Sequence, residues 1–413
     1  LGQRGDFFNA LKFRLGTILG VIILPELREW QKVAFQKWVE NNFKGIVEVA
    51  TAGGKTRFAI ECIRYYLENV KYPKIVVITP TTALADQWAV NLMTDLKINK
   101  NDICVWPDEN NIEKKFHVMV INTARKKLPI LVKSNQDVFV IADEVHRYGS
   151  EENAKSFDEK FRFAVGLTAT AKREFDEGLE LKLIPSFGKI IYQYSIINAR
   201  KDEIIAPFEL INIEVPLIES EKEEYDKLSG QIARALSQNN EERAKILAMR
   251  RSSVSKNAIN KIPAAIALVQ RESDQKIILF HESISNAEKI YESLKGLAYR
   301  VGIYHSEIYG PIRRDFLKQY KDGDINILIA CRALDEGVDI PDANVAIIVA
   351  YTSSLRQRVQ RLGRVIRKHP EKDFASIYTF YSTQKESSAL IEEMENFESI
   401  ANTKWQKMSF KNE

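Results

Sequence analysis

The chain has 413 residues, 45% apolar, 10% aromatic and 28% charged, which excludes disordered and fibrous classes and is too long for one compact core. Sixty Lys and Arg against 56 Asp and Glu leave a net charge of only +4, so any nucleic-acid contact has to come from a local groove and not from bulk charge. Three dispersed cysteines, Cys62, Cys104 and Cys331, include no C-x-x-C pair; they exclude a disulfide framework or structural zinc and point to an intracellular setting, cytoplasmic or nuclear, and not to secretion.

The sequence opens on Leu1, so the native start is expected to lie upstream. Leu15 to Leu24 (LGTILGVIIL) is apolar but too short to span a bilayer, and Pro25, Glu26, Leu27 and Arg28 follow it in place of a small-residue cleavage site. A buried strand or packed N-terminal element is expected there, with no membrane association.

Gly45 to Ala50 (GIVEVA) reads as a buried strand that runs into Thr51, Ala52, Gly53, Gly54, Lys55 and Thr56. Phe58, Ala59, Cys62, Ile63, Tyr66 and Leu67 then fall on one helical face. A strand, a glycine turn and a helix opening on Gly-Lys-Thr make a phosphate cradle: backbone N–H groups and the helix N-terminus face the phosphates, the lysine reaches the β and γ oxygens, and the threonine hydroxyl ligates Mg²⁺. Val49 stands where the full pattern has glycine, and a solvated lysine after an ordinary turn is the alternative reading of this motif taken alone.

Short β-branched runs alternate with helical patterns in two series, the mark of parallel sheets wrapped by helices. The first continues with Lys74–Thr79, His117–Ile121, Asp137–Ala142 and Arg162–Leu167; the second holds Lys276–Phe280, Arg300–His305, Ile325–Ala330, Val345–Ala350 and Ala375–Phe380. Between them Phe208–Leu217 alternates like an edge strand, and Glu219 to about Glu272 is charged and helix-favouring. The expected organisation is an N-terminal element (1–26), an α/β domain (27–205), an edge strand with a helical insert (206–272) and a second α/β domain (273–413) ending in a short helix or tail.

Asp143-Glu144-Val145-His146 follows the strand DVFVIA directly, and ligands of α/β sheets sit at the carboxyl ends of strands. Asp143 is placed to hold Mg²⁺, and Glu144 to orient and deprotonate an attacking water. Arg125-Lys126-Lys127 and Arg250-Arg251 read as solvated basic faces and not as site residues.

The order of Gly-Lys-Thr, Asp-Glu-x-His and the threonine pair Thr168/Thr170 in Gly166–Ala171 resembles a superfamily 2 helicase or translocase. Downstream, Leu334–Pro341 (LDEGVDIP) resembles motif V of that superfamily and Gln360–Arg367 (QRLGRVIR) its motif VI. Within it, the Asp-Glu-x-His and Asp-Glu-Gly-Val-Asp-Ile-Pro runs are most similar to XPB-type and restriction-enzyme-type DNA motors. Arg173–Asp176 only loosely resembles the Arg-Glu-Asp signature of the XPB branch, and Cys331 occupies a position often held by threonine.

The resemblance implies two tandem RecA-like domains, ATP and Mg²⁺ as cofactors, and nucleic acid, DNA favoured over RNA, as partner. It implies that Gln31 in Leu27–Gln31 reads adenine, that Gly337 and Asp339 also face the nucleotide, and that Arg364 and Arg367 reach across to the γ-phosphate. Gln360, His146, Thr168 and Thr170 would relay the nucleotide state. Pro80, Thr81, Thr123, His281 and Ser283 would touch the nucleic-acid backbone, holding phosphates without reading sequence. Hydrolysis would then require domain closure, coupling turnover to movement along a strand. A double-strand translocase that remodels without unwinding, and an ATP-gated clamp or sensor, are the alternatives. No nuclease motif is present, so cleavage or added specificity would need a protein partner.

Overall fold

The computed structural model describes residues 27–50, 53–107, 109–134, 137–157, 161–169, 182–331, 343–350, 368, 374–394, 397 and 400–408. The expected N-terminal element 1–26 lies outside them.

The first sheet has seven parallel strands in the order β3-β4-β2-β5-β6-β1-β7. They are β1 (Lys44–Val49), β2 (Ile75–Thr79), β3 (Ile103–Val105), β4 (Phe116–Val120), β5 (Phe139–Ala142), β6 (Phe163–Thr168) and β7 (Ile190–Tyr194). Helices α1 (Glu29–Glu40), α2 (Lys55–Asn69), α3 (Thr82–Asp95), α4 (Ile121–Ser134), α5 (Glu151–Ala154), α6 (Ile184–Phe187) and α7 (Ile196–Lys201) connect and flank them. Side chains alternate across the sheet: Ile75, Val77, Phe139 and Ile141 enter one apolar cluster, and Val76, Ile78, Val140 and Ala142 the other. With both faces covered, the inner strands read as unbroken apolar runs, which is why their sequences announce them.

A second seven-stranded parallel sheet follows, ordered β10-β11-β9-β12-β13-β8-β14. Its strands are β8 (Phe208–Glu214), β9 (Ile277–His281), β10 (Val301–Tyr304), β11 (Ile327–Cys331), β12 (Val345–Ile348), β13 (Ala375–Tyr381) and β14 (Ala401–Lys407). Helices α8 (Glu219–Ser237), α9 (Glu241–Lys256) and α10 (Lys261–Arg271) occupy the stretch between β8 and β9, followed by α11 (Ile284–Gly296), α12 (Gly310–Asp322) and α13 (Gln384–Met394). Helices α8 and α9 close on their own small core of Leu228, Ala235, Ala244 and Leu247, whereas α10 gives Ala264, Ala265, Leu268 and Val269 to the second sheet's core.

Two details differ from the sequence expectation. Strand β8 is interior, paired with β13 on one side and β14 on the other. The chain's end supplies the edge itself: after the expected helix α13 it returns as strand β14, whose Lys404 and Lys407 pair with Glu209 and Glu214 of β8 at 2.5 and 3.2 Å. Largely exposed and rich in polar residues, β14 carries no apolar run to announce it, and its lysines are a common device for blunting an open edge.

Candidate nucleotide site and its coupling residues

The turn after β1 carries two glycines that its geometry requires. Gly54 has φ 101°, in the left-handed region, and a Cβ there would meet Gln31 Nε2 at 2.9 Å. A Cβ on Gly53 would strike Val49 Cγ1 at 2.4 Å and the Ala50 carbonyl at 2.8 Å. Both positions keep the backbone bare, the form a phosphate-binding turn takes.

Three side chains from the start of α1 hold this turn by its carbonyls. Arg28 Nη1 and Trp30 Nε1 donate to Gly53 O at 2.7 and 3.1 Å, and Gln31 Nε2 donates to Gly54 O at 3.0 Å. Gln31 Oε1 accepts from Arg28 N at 2.9 Å, so the same amide closes the helix start. With the carbonyls turned towards α1 and Gly53 N donating to Ala50 O at 2.9 Å, the uncapped N–H groups at the start of α2 are what this segment offers a ligand. Arg28 and Trp30 were not singled out in the sequence, although both stand in the run Leu27–Gln31.

Helix α2 begins at Lys55 with no side-chain cap, and Thr56 is half-buried in its first turn. Lys55 Nζ lies 2.6 Å from Glu144 Oε1, joining the phosphate turn to the end of β5 across 89 residues. Asp143 is 5% exposed. Its Oδ2 accepts from Trp88 Nε1 of α3 and its Oδ1 from Glu144 N, both at 2.9 Å. Tyr148 OH donates to the Asp143 carbonyl at 2.8 Å, fixing the strand end. Burial pushes the Asp143 carboxyl above the usual carboxylate range; Lys55 opposes the rise and Glu144 adds to it.

Glu144 adopts φ 49°, ψ 46°, a left-handed conformation that costs a side-chain-bearing residue roughly 1–2 kcal/mol. Strain of this kind concentrates at functional sites, and here it delivers the carboxylate to Lys55. Two residues on, buried His146 places Nδ1 2.6 Å from Thr168 Oγ1 at the end of β6. The adjacent acids, the histidine and the first threonine are thus one network spanning the ends of β5 and β6.

The expected nucleic-acid contacts are more local. Thr81 Oγ1 caps α3 by accepting from Leu84 N at 3.3 Å, Pro80 precedes it half-buried, and Thr123 is half-buried in the first turn of α4. At the end of β9, His281 Nδ1 accepts from Ser283 N at 2.9 Å, and Ser283 Oγ caps α11 through Asn286 N at 3.4 Å. Burial, then the nearby Lys261 charge, pull the His281 pKa down to about 3, so the ring is neutral. Lys261 is itself fully buried and its pKa is lowered by desolvation. Ser283 also lines a cavity of about 800 Å³ shared with Arg251, Lys256, Thr383 and Glu386. Arg125 pairs with Glu152 at 3.0 Å, Lys127 lies 4.8 Å over the Trp106 ring, and Arg251 lies 5.3 Å over Tyr225. Ala52, Thr170, Gly337, Asp339, Gln360, Arg364 and Arg367 lie outside the described residues.

Residues 24–173 match the type III restriction enzyme res subunit family, and residues 259–369 match the helicase conserved C-terminal domain. The chain belongs to the superfamily 2 helicases and translocases. As a member it is a nucleic-acid-dependent ATPase of helicase type with two RecA-like domains. It is 27% identical over 368 residues to the DNA 3'-5' translocase XPB2 of Sulfurisphaera tokodaii, covering 83% of this chain and 79% of that protein. In fold this superfamily 2 chain is similar to Dbp5 of S. cerevisiae, solved bound to RNA and ADP BeF3, with a TM-score of 0.64 at 15% identity over 97% of this chain and 92% of Dbp5. It is similar in the same way to the type ISP restriction-modification enzyme LlaBIII bound to DNA, with a TM-score of 0.64 at 13% identity over 95% of this chain and 32% of that one. Among the described residues no helix is long and apolar enough to cross a membrane.

Proposed function

We propose that this chain is a DNA motor in which ATP hydrolysis at the β1–β5–β6 strand ends drives movement along a strand. The observation that carries it is the pairing of Lys55 with Glu144 beside buried Asp143: one carboxylate stands ready as base and another as metal ligand, next to the uncapped N-terminus of α2. DNA is favoured because the XPB2 relative is named a DNA translocase and the restriction-enzyme neighbour holds DNA.

Lys55 exchanges its Glu144 contact for the β and γ oxygens, which frees Glu144 to take a proton from the attacking water. Gln31 keeps one amide N–H and one lone pair beyond the bonds it makes to the backbone, enough to read the adenine edge. Mg²⁺ fits Asp143 and Thr56: a buried, acceptor-only carboxylate with a raised pKa gains from a cation, and each oxygen retains acceptor capacity. When bound, the ion neutralises charge building on the transferred phosphoryl group. Arg364 and Arg367 are assigned as the γ-phosphate fingers and Gly337 and Asp339 as further nucleotide contacts; arginine fingers contribute ~10³ to 10⁵ in rate.

The contact between His146 and Thr168 carries the nucleotide state towards the nucleic-acid face, with Gln360 and Thr170 continuing it. Pro80, Thr81 and Thr123 in one domain and His281 and Ser283 in the other hold the backbone. Any nuclease or added specificity comes from a separate protein. The test is the ATPase rate with single-stranded DNA, duplex DNA and RNA, alongside displacement of a strand or a protein roadblock. Stimulation by DNA together with displacement is expected. Stimulation by RNA only refutes the substrate assignment, and turnover without displacement converts the motor into an ATP-gated clamp.

A further inference from the structure

Asp143 is held at both carboxylate oxygens, and the two donors come from different elements. Glu144 N, its neighbour in the chain, donates to Oδ1, and Trp88 Nε1 of α3 donates to Oδ2, both at 2.9 Å. A carboxylate plane turns easily about its last side-chain bond, so one donor leaves it loose and two define it. The indole that supplies the second bond is itself fixed: Trp88 is 1% exposed and belongs to the core cluster that includes Val77, Ala85, Leu92 and Ile141. Helix α3 starts just beyond β2, capped by Thr81, and Asp143 N donates to Ile78 O of β2 at 2.9 Å. Backbone pairing therefore places the end of β5 beside β2, and the indole then sets the direction of the carboxylate.

The kind of donor counts as much as its place. An arginine or lysine bonded to Asp143 would orient the carboxylate and also cancel its charge. An indole N–H is neutral and donor-only, so it orients Asp143 and leaves the negative charge for another cation. Lys55, the lysine whose charge acts on Asp143, has its ammonium 2.6 Å from Glu144 instead. Each Asp143 oxygen keeps a further acceptor site beyond the bond it makes. Hydrogen bonds of this sort to a ligating carboxylate orient it for its metal.

We propose that Trp88 is a positioning residue for the metal: its indole N–H holds the Asp143 carboxylate in the orientation that takes Mg²⁺. The inference rests on the reading of Asp143 as the Mg²⁺ ligand. A bond kept only to satisfy a buried indole would contribute to stability and leave Mg²⁺ binding untouched, and that difference can be measured.

The chain has five tryptophans, so ¹⁵N-indole labelling gives five N–H resonances to follow by NMR while saturating ADP is added in EDTA and Mg²⁺ is then added in excess. Trp88→Phe identifies the Trp88 resonance and Trp30→Phe that of the indole on the phosphate turn. The Trp88 resonance is expected to move when Mg²⁺ follows ADP; if it stays, the proposal is overturned, and if no indole resonance of the wild type responds to Mg²⁺ it is overturned without need of a variant. Mg²⁺ titrations of the ADP complex give the second readout. Trp88→Phe keeps most of the ring in the core and is expected to need about tenfold more Mg²⁺, with ADP affinity in EDTA as in the wild type. Wild-type Mg²⁺ affinity in Trp88→Phe, or an equal loss of ADP affinity in EDTA, reduces Trp88 to a structural residue and overturns the proposal. Asp143→Asn separates the two levels: wild-type Mg²⁺ affinity in that variant refutes the ligand assignment itself, whereas weakened Mg²⁺ binding there beside wild-type binding in Trp88→Phe refutes only the positioning role.

Discussion

The strand ends of the two sheets are furnished differently. At the ends of β1, β5 and β6, side chains from distant elements meet: Lys55 with Glu144, Trp88 with Asp143, His146 with Thr168, and Trp30 with the Gly53 carbonyl. At the end of β9 the two residues expected to touch nucleic acid make short-range bonds, His281 accepting from Ser283 two residues on and Ser283 capping its own helix, while Glu282 and Asn286 beside them tie the loop to Lys256 and Asn257 at the end of α9. A site that performs chemistry needs its groups held in register by several elements, whereas a site that grips a repeating backbone needs only well-formed loops. Substitutions in the first set are therefore expected to change the reaction, and those in the second to change grip and stability.

Lys55→Met breaks the comparison most severely on the catalytic side. Losing the lysine cation of the phosphate turn is expected to lower kcat by about 10²-fold or more, read in a coupled ATPase assay. Thr168→Val removes the buried hydrogen bond between His146 Nδ1 and Thr168 Oγ1 and costs about 1–3 kcal/mol in chemical unfolding. In the same variant the stimulation of ATPase by DNA should fall further than the unstimulated rate; equal loss of both would remove the coupling role.

Acid sharpens the contrast from the other direction. His281 titrates at about 3 and His117 at about 4 in the fold, both lowered chiefly by burial from 6.5. The unfolded chain takes up these protons first as pH falls below about 6.5, so stability is full above that pH and declines towards pH 4. Thermal melts from pH 7 to 4 check this, and His281→Gln is expected to flatten the slope. Buried Asp143, with its raised pKa, contributes with the opposite sign above the normal carboxylate pKa. The smallest effect belongs to Ser283→Ala, expected to cost about 1 kcal/mol as a lost helix cap and to weaken DNA binding without altering unstimulated ATPase.

Much of this was legible in the sequence because the decisive groups sit at the ends of fully buried parallel strands, where apolar runs stop at Gly53-Gly54-Lys55, Asp143-Glu144 and Thr168. Contacts that join those ends were not. Nothing local to Trp30 or Arg28 says that it will hold a carbonyl 23 or 25 residues away, and nothing about Trp88 says that it will donate to Asp143. Lys261 sits in a helix whose sequence reads as half-exposed, yet it is fully buried. Strand β7, with its alternating burial, and three-residue β3 were too weakly patterned to be read, and β14 was hidden by its polarity. Interior position for β8 followed from β14, so missing one misplaced the other.

Glu144→Gln tests the central claim most directly, with ATP binding and ATP hydrolysis measured on the same protein in the presence of duplex DNA. Retained ATP binding with turnover reduced about 10²- to 10⁴-fold is the predicted result, as for loss of a general base. Turnover at the wild-type rate would contradict the account, because the strained carboxylate that Lys55 holds would then have no part in the reaction.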